Sequence, residues 1–284
     1  MIETTIAVRR RAQCGEGPVW DAERDEVLWV DIVSGEILRT ARTTGSTAAR
    51  SHDAMVGAVT LRADGGLVAA VATGFIGWDA AGDQDRRLDC LPAGTRMNDA
   101  KVDPSGRFWA GDCAIDFTPG AGGLWVLDHE WNARRVLEGF TLPNGLDWSP
   151  GRESFYLVES MGRKVFRFDW DVDRGEISGA AEVLIGSEAF TGLPDGLCVD
   201  ARGHLWIAEY GGTGLHEFAP TGERVRTIAI PTAQPTSCAF VGPDLDELWV
   251  TSAAAGQDGD PDAGSIFRLR GLGATGLPST RFGG

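Results

Sequence analysis

The chain has 284 residues, 43% hydrophobic and 24% charged, with 39 Gly, 13 Pro, 10 Trp and a formal net charge of −15. That hydrophobic share excludes a wholly disordered chain, and the acidic balance excludes the basic surface a nucleic-acid binder needs and disfavours anionic membranes. No apolar run reaches the roughly 20 residues that span a bilayer.

Met1 to Arg11 lacks the basic-then-apolar layout of a signal peptide. Thr4 to Arg10 reads as a strand, and Arg9-Arg10-Arg11, the only local basic cluster, as its solvated end. A unit then recurs: a short apolar strand, a polar turn rich in Asp, Gly and Pro, and a second apolar strand usually bearing an aromatic. The instances are VWDAERDEVLWVD from Val19, VTLRADGGLVAAV from Val59, AKVDPSGRFWAGD from Ala100, LDWSPGRESFYLVE from Leu146, LCVDARGHLWIAE from Leu197 and AFVGPDLDELWVTS from Ala239. Their second-strand positions, Trp29, Val68, Trp109, Tyr156, Trp206 and Trp249, lie 39, 41, 47, 50 and 43 residues apart.

Further short strands follow in each unit, and no stretch has a convincing helical period. Three or four strands every roughly 45 residues predict an all-β, six-bladed β-propeller. Residues 1–284 then form one domain, in which the Trp side chains fill the wedges between blades. Thr4–Arg10 is expected to close the ring by pairing with the C-terminal blade.

Glu16, Asn98, Asn144 and Asp195 stand just before the first strands of their units, 11 to 13 residues ahead of the second-strand aromatic, and Thr236 falls in the same zone. Equivalent positions in a ring share radius and height, so these side chains should converge on one mouth of the central channel. Two carboxylates and two amide oxygens make a hard-oxygen site suited to Ca²⁺, Mg²⁺ or Mn²⁺. Without a cation, Glu16 and Asp195 would repel each other there. The adjacent Gly and Pro are expected to form tight turns, and Asp99 is expected to face away from Asn98 by strand alternation.

The five Cys (14, 90, 113, 198 and 238) are widely spaced with no CxxC, and the four His form no HxH or HExxH. The cysteines read as mostly buried free thiols of a cytoplasmic protein without a zinc site of the usual sort, and the histidines as surface or hydrogen-bonded structural residues. Cys113 is assigned to packing and the DGDPD stretch, Asp258 to Asp262, to a solvated loop.

GEGPVW, RMNDAKVDPSGRFWAG, LPNGLDWSP, LPDGLCVDARGHLWIAEYGG and PTSCAFVGPDLDELWVTSA resemble the senescence-marker-protein/gluconolactonase/regucalcin family over about Gly15 to Leu269. The resemblance implies a six-bladed propeller with one divalent cation in its channel. Ca²⁺ stands foremost, with Mg²⁺, Mn²⁺, Zn²⁺ and Fe²⁺ as alternatives. It implies metal ligands at Glu16, Asn144 and Asp195, substrate contacts at Arg96 and Asn98, and a catalytic base at Asp195.

Where many lactonases have Thr-Met and then an acidic residue that contacts sugar hydroxyls, this chain has Asp112-Cys113-Ala114-Ile115-Asp116. Asp116 is the offset candidate for that contact. Glu159 stands where the family usually has Asp.

The implied reaction is metal-assisted hydrolysis of a sugar lactone to an aldonic acid, with Arg96 and Asn98 as hydrogen-bond donors. Asp195 either takes the proton of the attacking water or only positions water activated by the cation. The expected partner is the small-molecule sugar lactone, with no nucleic acid and no membrane, and the protein is expected to be a monomer or weak homo-oligomer. Two other readings stay open: hydrolysis of another ester or phosphoester in the same site, and a non-enzymatic calcium-binding regulatory protein.

Overall fold

The structure, a computed structural model, describes residues 1–284. It is a six-bladed β-propeller of six four-stranded antiparallel sheets, five in simple up-and-down order and the last completed by the N-terminal strand, with a single 3₁₀ turn at Ser187–Ala189 as the only helical element. The innermost strands are Gly15–Asp21, Val56–Leu61, Thr95–Val102, Pro143–Trp148, Leu193–Val199 and Pro235–Val241. They touch one another around the axis. The second strands are Glu26–Asp31, Leu67–Val71, Phe108–Ala114, Ser154–Glu159, Leu205–Tyr210 and Glu247–Ser252. All six repeat positions, from Trp29 to Trp249, lie on these second strands and are buried.

The core sits between blades, as a wedge-shaped gap between twisted sheets requires. Trp109 of blade 3 meets Trp148 and Trp170 of blade 4 edge-on, at ring-centroid distances of 6.1 and 5.3 Å. Trp206 of blade 5 meets Phe240 of blade 6 at 5.8 Å. The recurring Asp-x-x-Gly turn serves this packing. Asp103 accepts the amides of Ser105 and Arg107 through Oδ1 and the Trp109 indole N–H, at 2.9 Å, through Oδ2. Asp200 does the same for Arg202, His204 and Trp206. Each Asp thus makes the turn and satisfies the one polar atom of the buried indole.

Ring closure follows the expectation. The strand is Glu3–Val8, and it pairs antiparallel with Ile266–Arg270, the third strand of the last blade. The basic cluster after it is not simply solvated. Arg9 pairs with Asp262, Arg11 bonds the Asp260 carbonyl at 2.8 Å, and Arg10 reaches Glu36 at 2.5 Å. The DGDPD loop is therefore a partner of this cluster, through ion pairs that contribute little individually because they are largely solvated.

The C-terminal segment was not anticipated. Beyond the last strand it runs across the propeller: Gly276 N–H bonds Leu245 O, Thr275 O accepts from Ala201, and Phe282 exchanges backbone bonds with Leu61 and Ala63. It thereby passes from blades 6 and 5 to blade 2, on the opposite side of the ring. Phe282 is fully buried against Phe108 and Trp131. Under it lies a cavity of about 350 Å³ lined by Val19, Thr60, Lys101, Asp147, Cys198 and Ala239, one residue from each inner strand, and by Leu277–Thr280. The tail thus caps one end of the central channel. No helix is long and apolar enough to cross a membrane.

Candidate metal centre

The inner strands share a local irregularity. In each of the six blades the ladder between first and second strand shifts register at the same place, between Glu16 and Val19, Val56 and Ala58, Met97 and Ala100, Pro143 and Leu146, Pro194 and Leu197, and Pro235 and Cys238. These are β-bulges, which bend a strand and re-aim side chains. Glu16, Asn98, Asn144, Asp195 and Thr236 all stand at or inside them.

The Pro-Asn-Gly and Pro-Asp-Gly motifs are therefore not turns, as the sequence suggested, but bulged starts of inner strands. Pro fits here because it stands at the strand's start or beside its bulge, first in Pro143–Trp148 and second in Leu193–Val199. Gly follows because neighbouring inner strands nearly touch: a Cβ on Gly145 would lie 2.3 Å from Leu197 N, and one on Gly196 would lie 2.1 Å from Ser237 Oγ.

Glu16, Asn98, Asn144 and Asp195 are all buried. Asn144 Nδ2 donates to Asp195 Oδ1 and, at 3.1 Å, to Ser160 Oγ, which in turn donates to Pro194 O at 2.7 Å. Asn144 Oδ1 is left buried with no partner. Asn98 differs. Its Oδ1 accepts Arg96 Nη1 at 2.8 Å and its Nδ2 donates to Pro143 O at 3.1 Å. Of the two amides at this phase, only Asn144 has an oxygen to offer a cation. Thr236 spends its hydroxyl on Gly15 O and Thr251, stitching the last blade to the first.

Asp99 corrects the alternation argument. Asn98 and Asp99 together oppose a single residue of the second strand, so the bulge cancels the expected reversal of direction. Asp99 is buried, and its charge acts on both Glu16 and Asp195.

Burial, then the charges of Asp195 and Asp99, push the Glu16 carboxyl well above its usual range. Burial, then Asp99, do the same to Asp195, against the hydrogen bond from Asn144 and the Arg96 charge. Asp99 is raised to about 6, chiefly by burial. Lys101 is neutralised by Asp147 at 2.6 Å. Three carboxylates thus face one free guanidinium, Arg96, an excess of two negative charges. With the orphaned Asn144 oxygen, this donor set fits a divalent hard cation held by Glu16, Asn144 and Asp195.

A pH dependence follows. Unfolded carboxyls titrate near about 4, so between there and the raised folded values the native state holds protons the unfolded state has lost. The stability these groups contribute is complete below about pH 4 and is lost as pH rises through about 6 and beyond. Cation binding offsets that loss. The rise in Tm produced by adding Ca²⁺ or Mn²⁺ to chelator-treated protein should therefore grow from about pH 5 to about pH 8. A Tm rise that is the same at both ends of the range would contradict the site.

Other residues lie apart from this group or support it. Asp116 is exposed on the loop after Phe108–Ala114, its Oδ1 taken by Thr118 N at 3.0 Å and Thr118 Oγ1 at 2.7 Å. Glu159 spends both oxygens on the amides of Thr141, Leu142 and Met161. Cys113 is buried directly opposite Arg96 in the ladder, and burial raises its thiol.

Sequence reasoning missed Asp99, Ser160 and Cys14. Burial raises the half-buried Cys14 thiol, and the Glu16 and Asp195 charges raise it further. The only available signals were adjacency to Asn98, Glu159 and Glu16. A separate trio, Asp200, His204 and Glu217, has ligand-like spacing. Arg202 spans Asp200 and Glu217 at 2.8 and 2.9 Å and Arg226 also pairs with Glu217, so this trio is an ion-pair network.

The family profile described as SMP-30/Gluconolactonase/LRE-like region matches residues 14–254. Regucalcin of Sus scrofa is 35% identical over 303 residues, covering 100% of this chain and 99% of that protein. The crystal structure of a calcium-binding protein, regucalcin, from Agrobacterium tumefaciens superposes with a TM-score of 0.92 at 27% identity, covering 98% of this chain and 96% of that one. A gluconolactonase from Xanthomonas campestris shares the fold at 22% identity, with a TM-score of 0.78 over 95% of this chain and 89% of that one.

Proposed function

The chain belongs to the SMP-30/Gluconolactonase/LRE-like family, and from that premise we propose that it hydrolyses a sugar lactone to the aldonic acid, using one divalent cation, Ca²⁺ foremost, held by Glu16, Asn144 and Asp195. The observation that carries this reading is the unpartnered Asn144 oxygen beside two buried carboxylates whose charge no side chain balances. Such a cation, when bound, supplies Lewis acidity for the lactone carbonyl and charge for the developing oxyanion.

The protein's own residues do the rest. Arg96 is pre-set by its bond to Asn98 and keeps Nε and Nη2 for the substrate's oxygens, in a fork that never loses its proton. Asn98 is held in turn by Pro143 O and keeps one amide hydrogen for a substrate oxygen. Asp195 positions the attacking water and accepts its proton, which passes to the ring oxygen as the acyl–oxygen bond breaks. Asp116, exposed on its loop and with Oδ2 unpartnered, is the residue offered to a sugar hydroxyl.

The capped far end of the channel leaves the Glu16–Asp195 end as the approach for substrate. A pH-indicator assay over a panel of aldonolactones, a simple ester and a phosphoester, with Ca²⁺, Mg²⁺, Mn²⁺, Zn²⁺, Fe²⁺ or chelator, tests the proposal. Turnover of a lactone with a divalent ion and its loss in chelator are expected.

A second reading, calcium binding without turnover, is favoured by the regucalcin relatives. Silence on every substrate with tight Ca²⁺ binding retained would establish it. Arg96 argues against it, since a calcium buffer needs no guanidinium beside its ligands.

A further inference from the structure

In the last part of the second strand of every blade, one residue pairs with the position immediately before the channel residue. These are Asp31 opposite Gly15, Val71 opposite Val56, Asp112 opposite Met97, Glu159 opposite Pro143, Glu209 opposite Pro194 and Ser252 opposite Pro235. Four of the six are acidic, and all four are buried. Three of them reach back to clamp backbone amides of the segment leading into the inner strand.

Asp31 accepts Gln13 N at 2.9 Å and Cys14 N at 3.0 Å. Glu159 accepts Thr141 N at 2.9 Å and Leu142 N at 3.1 Å. Glu209 accepts Thr191 N at 2.5 Å and Gly192 N at 2.6 Å. The fourth, Asp112, turns instead to the Trp125 indole at 2.9 Å and Arg135 at 3.2 Å.

The three clamped segments are the ones that precede Glu16, Asn144 and Asp195. The unclamped one precedes Asn98, whose oxygen is already spent on Arg96. We propose that Asp31, Glu159 and Glu209 are positioning residues for the metal ligands Glu16, Asn144 and Asp195, an inference that rests on the metal-binding reading above.

The physical need comes from the bulge. It interrupts the ladder at the ligand itself, so strand pairing alone leaves the ligand's backbone loosely held on its N-terminal side. A carboxylate accepting two amides makes charge-assisted bonds stronger than neutral ones. It restores the precision of placement that a metal site requires.

The clamps are themselves braced. Ser34 Oγ donates to Asp31 at 2.8 Å, and His216 Nε2 lies 2.6 Å from Glu209 Oε2. Burial alone would raise the Glu209 carboxyl, but the hydrogen bonds from Gly192, His216 and Thr191 outweigh it and hold Glu209 below its usual range, as a charged clamp requires. The fold does not demand a carboxylate here, since blades 2 and 6 close with Val71 and Ser252 at the same rank.

The test compares Asp31→Asn, Glu159→Gln and Glu209→Gln with Asp112→Asn in the full chain. The readouts are Ca²⁺ and Mn²⁺ affinity by titration calorimetry and Tm in chelator. The three clamp variants should bind the ion about 10–100-fold more weakly, the loss typical of outer-shell partners. Asp112→Asn should keep the parent affinity, whatever it does to Tm.

Parent affinity in folded clamp variants, or an equal loss in Asp112→Asn, would overturn the inference while leaving the metal site intact. A parent protein that binds neither ion would instead overturn the metal reading and the clamps with it. Should a Gln variant fail to fold, Glu159→Ser, which places there the residue type that blade 6 carries at this rank, gives the same decision: weaker binding supports the clamp, and parent affinity refutes it.

Discussion

Asp195→Asn should abolish metal-dependent turnover and, in chelator near neutral pH, make the protein melt higher than the parent. The two effects have one cause. Asp195 is a buried carboxylate whose charged form is disfavoured by burial and by Asp99. Each unit by which a carboxyl's pKa is raised costs the ionised folded state about 1.4 kcal/mol, and 1 kcal/mol moves the Tm of a large domain by about 2–4 °C.

Removing the charge should therefore raise the metal-free Tm at about pH 8, and much less at about pH 4, near where a carboxyl titrates in the unfolded chain. The Asn oxygen can keep the bond from Asn144, so the shape of the site survives. The same substitution removes a charged ligand and the proposed base. Activity should fall by at least the roughly 10²–10³-fold lost with a single oxyanion-stabilising donor. Glu16→Gln should behave alike, because Glu16 is raised by the same burial and the same neighbours. Parent-like lactone turnover in chelator, or a metal-free Tm that drops equally at both pH values, would remove the site from consideration.

The second large effect is on stability and comes from the other end of the channel. Phe282 is fully buried and packs on Phe108 and Trp131, yet only two residues of the chain follow it. Phe282→Ala should cost about 3–5 kcal/mol, lowering Tm on the order of 10 °C. The neighbouring Arg281 makes a partly exposed pair with Glu23 at 2.9 Å. Arg281→Ala should therefore change stability by no more than about 1 kcal/mol.

Metal affinity should be unchanged in Phe282→Ala, because the candidate ligands sit at the far ends of the inner strands from the tail. Melting should remain a single transition, as expected if the ring is one domain. A Tm within about 2 °C of the parent would mean that the tail contributes under 1 kcal/mol and is not a clasp.

The blade count, the closing strand and the ring of polar residues were legible in the chain because each rests on local chemistry. Alternating apolar residues, Asp-x-x-Gly turns and a buried aromatic every 39 to 50 residues say the same thing six times over. The role of Asp103 and Asp200 in making the turn and capping an indole is also local, since acceptor and donor are six residues apart.

What the sequence alone determined, then, is the architecture and the phase at which the candidate site's side chains occur. The tertiary structure decided which of them are chemically available. A bulge turned Asp99 toward the carboxylates, against simple alternation. Arg96 consumed the Asn98 oxygen while that of Asn144 stayed unpartnered. Glu159 became a backbone clamp, and the C-terminal segment crossed the ring to cap the channel.

These outcomes depend on side-chain directions and on neighbours such as Asn144 and Asp195, 51 residues apart, or Leu61 and Phe282, from opposite regions of the chain. Periodicity reports the face a residue prefers. It carries no information about a partner that only ring closure brings within hydrogen-bonding distance.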